Sequence, residues 1–117
     1  MSFFSKLFGS GSSSQPKIQA ADYKTRFVDG KQPHTLVDVR TRDEFNGGHI
    51  PGAINVPVQD LSTKLNKIPK SKPVVVYCQS GSRSSQAAKT LITAGYTEVL
   101  DMGSISGWTK QGGTLKP

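Results

Sequence analysis

Hydrophobic residues in this chain fall in short runs whose period changes along the sequence. Ala20 to Val28 reads as a helix, closed by the turn residues Asp29-Gly30. Leu36-Val37-Asp38-Val39, set between Pro33 and Arg40, reads as a strand. Thr41-Arg42-Asp43-Glu44 has the form of a capping box, which predicts a single-turn helix ended by Gly47-Gly48. Ala53 to Val56 is a short strand closed by Pro57, and Val58 to Leu65 has helical period. Pro69 and Pro73 bracket a polar loop. Val74-Val75-Val76-Tyr77 is apolar on both faces, which belongs in the buried middle of a parallel sheet. A helix from Arg83 to Ala94 with Gly95 as its stop, a strand at Glu98-Val99-Leu100 and a short helix from Ile105 to Gln111 complete the pattern. Strands separated by helices need crossover connections. The expected class is therefore α/β, a mostly parallel central sheet with helices on both faces. In such sheets ligands bind beyond the carboxyl ends of the strands, where Cys78 falls.

The chain has 117 residues, enough for one modest core and not two. Its hydrophobic fraction of 34% is low, but the polarity is concentrated at the start. Residues 1–16 read as a flexible tail, with a Gly/Ser linker over 9–16 preceded by Phe3, Phe4, Leu7 and Phe8 at helical spacing. Residues 17–117 read as the folded domain. The longest apolar run, 74–78, has five residues where a membrane helix needs about 20, so no span is expected. The N-terminus lacks the apolar stretch of a secretory signal. A single cysteine excludes an internal disulfide and a multi-cysteine zinc site, and the two histidines lie far apart, so no metal site is expected. A reducing cytoplasm is the simplest compartment for a lone thiol.

The formal charge of +7 suggests nucleic-acid binding. Lys64, Lys67, Lys70 and Lys72 form an acid-free stretch, but no aromatic residue is interleaved for base stacking and no nucleic-acid motif is present. No nucleic-acid partner is expected. A solvated basic face, or attraction of small anions, accounts for the charge.

The candidate chemistry lies in Cys78-Gln79-Ser80-Gly81-Ser82-Arg83-Ser84, between a buried strand and a helix. Successive amides of so short a loop point inward as an anion-binding nest. The following helix directs its positive end to the same point, and Arg83 adds a permanent charge. Each favours a thiolate, the nucleophilic form of cysteine. The opposing reading is an inert buried core thiol, the usual fate of a free cysteine.

Three motifs in order make the sequence resemble the rhodanese family from about Lys17 to Lys116. They are Asp38-Val39-Arg40 with Glu44-Phe45 and Gly48-His49-Ile50-Pro51-Gly52-Ala53-Ile54-Asn55-Val56-Pro57, the Cys-x-x-Gly-x-Arg-Ser loop, and Trp108 near the end. Gly103 is followed by Ser104, where the family often has a second glycine. The resemblance implies a single rhodanese-like domain that transfers sulfur. Cys78 would take the outer sulfur of thiosulfate or a persulfide donor, hold it as a persulfide, and yield it to cyanide or a thiol. The amides of Gln79, Ser80, Gly81, Ser82 and Arg83 would stabilise the persulfide anion. No cofactor is needed, and a monomer is expected. His49 invites a catalytic role beside a thiolate, but in this setting it is expected to fix its turn by hydrogen bonding. Asp38 is either an acceptor holding the loop or an arginine, or a local turn cap. Arg40 is read as a surface or loop-bracing residue, and Trp108 as core packing. Phosphatase and arsenate-reductase relatives resemble Cys-x5-Arg, whereas four residues separate Cys78 from Arg83 here. The tighter cradle favours sulfur transfer. A non-catalytic partner-binding module and a protein-to-protein sulfur carrier, with a protein as donor or acceptor, are the alternatives.

Overall fold

The computed structural model describes residues 16–117. The tail and most of the expected linker, with Phe3, Phe4, Leu7 and Phe8, lie outside the described residues. A four-stranded, all-parallel sheet forms the centre, in the order β2-β1-β3-β4. The strands are β1 (Thr35–Asp38), β2 (Ile54–Asn55), β3 (Val74–Cys78) and β4 (Val99–Ser104). The helices are α1 (Ala20–Tyr23), α2 (Arg42–Asn46), α3 (Ser82–Thr93) and α4 (Ile105–Lys110).

β3 is buried at every position, and its side chains alternate between two hydrophobic clusters, one on each face of the sheet, where the chain length suggests a single core. Val74, Val76 and Cys78 face one cluster with Ala87, Ala88 and Leu91 of α3, and Leu61 and Ile68 close it. Val75 and Tyr77 face the other, with Tyr23, Phe27, Ile105 and Trp108. Burying each of these valines contributes about 2 kcal/mol. Two apolar faces therefore fix β3 in the middle of the sheet, and Cys78 at its carboxyl end.

Two expected helices take other forms. The first is α-helical only through Tyr23 and continues as wider π-helical turns over Lys24–Asp29. Gly30 closes it by donating to Thr25 O at 2.9 Å, where a Cβ would lie only 2.5 Å from Arg26 O. The Val58–Leu65 segment forms 3₁₀ turns at Val58–Thr63 and Leu65–Lys67. The Thr63 hydroxyl bonds Asp60 O, a local bond that competes with α-helical continuation.

β4 differs most from expectation, running on to Ser104. A bulge makes this possible: Val76 pairs with Asp101 but Tyr77 with Gly103, leaving Met102 as the extra residue. The Gly103 N–H donates to Asp101 Oδ1 at 2.9 Å, and Gly103 has φ +80°, which suits glycine. The capping box forms as expected, with reciprocal bonds between Thr41 and Glu44. No helix among the described residues is long and apolar enough to cross a membrane.

Candidate active site

Cys78 ends β3, and the chain turns at once into α3. Gly81 makes that turn in the left-handed region, φ +104°, and precedes the first helical residue, Ser82. Here the Cys78 Sγ accepts two backbone hydrogen bonds, from Gly81 N–H at 2.9 Å and from Ser84 N–H at 3.3 Å. Ser84 supplies one of the amides that a helix leaves unpaired in its first turn. It lies just beyond the Gln79–Arg83 stretch from which the sequence reading drew its donors. The Ser84 hydroxyl donates to Gly81 O at 3.0 Å and closes the turn. Cys78 has no exposed surface, as an inert core thiol would. Unlike a wholly apolar core thiol, its sulfur has two backbone N–H groups converging on it.

Arg83 stands in the first turn of α3, but its guanidinium is paired. Nη1 and Nη2 donate to Glu44 Oε1 and Oε2 at 2.7 and 3.0 Å. The Glu44 hydrogen bond is the main reason Arg83 is held above its ordinary range, with the charge on Cys78 a lesser one. From sequence alone the whole charge of Arg83 is expected at the sulfur. Glu44 shares it because the capping box turns this carboxylate toward α3.

Arg40 is buried, 4% exposed, so the surface alternative for it is wrong. Its side chain continues from β1 into the gap between the loops. Nε donates to both Asp38 oxygens at 3.0 Å and Nη2 to Asp38 Oδ2 at 2.7 Å. Nη2 also reaches Gly48 O at 2.7 Å, and Nη1 reaches Gln79 Oε1 at 3.1 Å. Burial works against the guanidinium charge, but the Asp38 hydrogen bonds and charge outweigh it and hold the group above its ordinary range. Asp38 acts in both ways weighed for it: it holds this arginine, and it caps the turn by accepting from Arg40 N–H at 2.9 Å.

His49 Nδ1–H donates to Phe45 O at 3.0 Å, and its ring stacks on Phe45 at 3.8 Å. Trp108 is buried against Tyr23, with Nε1–H donating to Thr114 O. Gln79 and Ser80 are exposed, as is Ser82. Sequence reasoning missed Ser104, whose hydroxyl donates to Gln79 O at 2.6 Å, because the bulge that brings it there has no clear pattern. It also missed Tyr77, whose hydroxyl accepts from Ile50 N–H and ties the Gly48–Ala53 turn to β3. Burial pushes that phenol well up.

The site is thus a cysteine at the end of a central parallel strand, with its sulfur on amides of the following turn. The rhodanese-like domain model matches residues 19–111. The chain belongs to the rhodanese-like family. It is 42% identical to a sulfurtransferase of Allochromatium vinosum, over 66% of this chain and 73% of that protein. It is 40% identical to thiosulfate sulfurtransferase 16, chloroplastic, of Arabidopsis thaliana, over 68% of this chain and 77% of the relative. The solution structure of a rhodanese-like domain from Anabaena superposes with TM-score 0.80 at 31% identity, covering 88% of this chain and 80% of that one. These likenesses support sulfur transfer by this rhodanese-like domain in general.

Proposed function

We propose that the protein is a thiosulfate sulfurtransferase working through a persulfide on Cys78. One observation carries the reading: the Cys78 sulfur sits on two backbone N–H groups, from Gly81 and Ser84, at the end of a buried strand. Fixed dipoles aimed at a sulfur stabilise negative charge there without reorganising during reaction. The likeness to a plant protein named a thiosulfate sulfurtransferase supports the choice of donor.

In the first step the Cys78 thiolate attacks the outer sulfur of thiosulfate. A bond forms between Sγ and that sulfur, the sulfur–sulfur bond of thiosulfate breaks, and sulfite leaves with the electron pair. In the second step cyanide or a thiol attacks the outer sulfur of the persulfide, and Sγ departs as thiolate. The covalent intermediate divides the transfer into two displacements. Because Cys78 is buried, the reading requires the Gln79–Ser82 loop to open around the sulfur. Gln79 positions the loop through Arg40, with Asp38 holding Arg40 and His49 bracing the turn beside it. A reducing cytoplasm suits an enzyme with one free thiol.

Intact mass spectrometry tests the covalent step. Thiosulfate should add one sulfur atom to the protein, cyanide should remove it, and Cys78→Ser should never acquire it. Failure of the wild-type chain to gain sulfur from thiosulfate would sink the donor assignment. Failure with a small-molecule persulfide as well would sink the catalytic role of Cys78.

A further inference from the structure

A second site lies on the far side of β1 from Cys78. A small cleft of about 210 Å³ is lined by Arg42, Asn55, Val56, Pro57, Asp60, Lys64 and Lys67. Its position follows from sheet order: β2, which carries Asn55, is two strands away from β3, about 10 Å at ordinary strand spacing. From sequence Lys64 and Lys67 belong to a solvated basic face or to long-range attraction of small anions, and Arg42 has no role beyond its capping box. The 3₁₀ turns change that, since they return Lys64 and Lys67 to the cleft beside Arg42 of α2.

Among the described residues, no hydrogen bond or ion pair engages the side chains of Arg42, Lys64, Lys67 or Asp60. Three cations and one carboxylate therefore line the cleft with a net charge of +2 and no partners. Arg83–Glu44 and Arg40–Asp38, in contrast, are paired. The volume is that of about seven waters, below the ~300 Å³ at which pockets begin to take drug-sized organic ligands. The floor is fixed, because Asn55 Nδ2 donates to Asp38 O and Arg40 O at 3.0 and 2.9 Å.

Size and charge together select a small oxyanion, and Asp60 narrows the class. An ionised carboxylate only accepts hydrogen bonds. It repels an oxyanion without a proton, such as sulfate or thiosulfate, and accepts from the O–H that phosphate keeps near neutral pH. We propose that this cleft binds a protonated tetrahedral oxyanion of the phosphate class. Arg42, Lys64 and Lys67 contact its charged oxygens and Asp60 accepts from its O–H. The site is separate from Cys78 and rejects the donor anion that the Cys78 loop would take.

The test is a titration of the whole protein with inorganic phosphate, and in parallel with sulfate and chloride, at constant ionic strength because exposed charges are screened by salt. Amide NMR reads it, using the Asn55 side chain and the Val56, Lys64 and Lys67 backbones, with Gly81 and Ser84 as markers of the other site. The expected result is saturable movement of the cleft amides with phosphate, and about tenfold weaker binding of sulfate, the difference one charge-assisted hydrogen bond makes. Lys64→Gln with Lys67→Gln should weaken phosphate by about tenfold or more while the rest of the spectrum is unchanged. Asp60→Asn should bring sulfate and phosphate to within about twofold. Equal binding of sulfate by the wild type overturns the proposal. So does movement confined to Gly81 and Ser84, or a non-saturating drift that chloride reproduces. No sulfur donor is present, and the titration runs equally on Cys78→Ser, so its outcome is independent of the transfer reaction.

Discussion

The guanidinium of Arg83 forks onto the carboxylate of Glu44, at 2.7 and 3.0 Å, and ties α2 to the first turn of α3. Glu44 also accepts from Thr41 N–H at 3.0 Å, so one carboxylate caps its own helix and clamps the cysteine loop. The Arg83 hydrogen bond, then that of the Thr41 backbone, holds Glu44 down from 4.5 to about 2.

A carboxylate whose pKa is depressed by folding stabilises the protein above its unfolded pKa and loses that contribution as pH falls through the folded one. For Glu44 the window runs from 4.5 down to about 2. Both side chains are about a third exposed, 32% and 30%, so solvent screening reduces the pair to about 1 kcal/mol. Glu44→Gln should cost about that much in urea unfolding at neutral pH, and the gap from wild type should shrink as pH drops through the window. A gap of constant size would assign the loss to packing rather than charge.

Gly81→Ala should separate backbone geometry from stability. At φ +104° an added Cβ meets nothing nearer than Gly103 Cα at 3.9 Å, so the cost is backbone strain alone, about 1–2 kcal/mol. Relief of that strain turns the Gly81 amide away from Sγ. Persulfide formation should slow by about tenfold or more. Gly52 is the control: its φ is +90°, with nothing within 4 Å of an added Cβ. Gly52→Ala should lower the melting temperature comparably and leave persulfide formation near wild type. Equal slowing in both variants would show that the Gly81 amide has no special part.

The sequence was most legible where one feature answers one demand. The all-apolar Val74–Tyr77 run marks a central strand, and Cys78 follows at its carboxyl end. The Thr41–Glu44 capping box is equally local and forms as read. Illegible parts depend on two distant segments at once. Glu44 looks fully used by its cap, so its second role with Arg83, 39 positions later, leaves no local trace. Asp101-Met102-Gly103-Ser104 looks like a loop because the bulge needs a polar residue and a glycine, yet it extends β4 to the site. Arg40 reads as either surface or loop-bracing because arginine is usually exposed, and only the fold decides between them, with Asp38, Gly48 and Gln79 closing around it.

That closure makes the Asp38–Arg40 pair sensitive to losing one member. Their side chains are 0% and 5% exposed, so removing the guanidinium leaves a buried carboxylate without its counter-charge. Arg40→Met should cost about 3 kcal/mol or more in urea unfolding and should also release Gln79 from its anchor. Gln79→Ala, at an exposed position, should keep wild-type stability while losing the same anchor. Slower persulfide formation in both variants would identify loop positioning as the shared cause. A stability loss under about 1 kcal/mol in Arg40→Met would mean that water reaches Asp38.

Loop length should decide which tetrahedral substrate the cysteine can serve. Four residues separate Cys78 from Arg83, and within that span the Gly81 amide already lies 2.9 Å from Sγ. An amide this close to the sulfur leaves little room for the three oxygens of a phosphate ester beyond it. The wild-type chain should therefore hydrolyse an aryl phosphate no faster than Cys78→Ser. Inserting one glycine between Ser82 and Arg83 lengthens the turn by about 3.5 Å of chain and moves the first-turn amides of α3 away from Sγ. Sulfur transfer from thiosulfate should fall by about tenfold or more, because the donor lost is an oriented backbone N–H on the developing charge. If room is what excludes the ester, the same insertion should introduce phosphate release that depends on Cys78. Both assays belong on one preparation, since a fall in transfer with no gain of hydrolysis would reflect a disordered loop. A wild-type phosphatase activity that disappears with Cys78 would overturn the assignment of this site to sulfur.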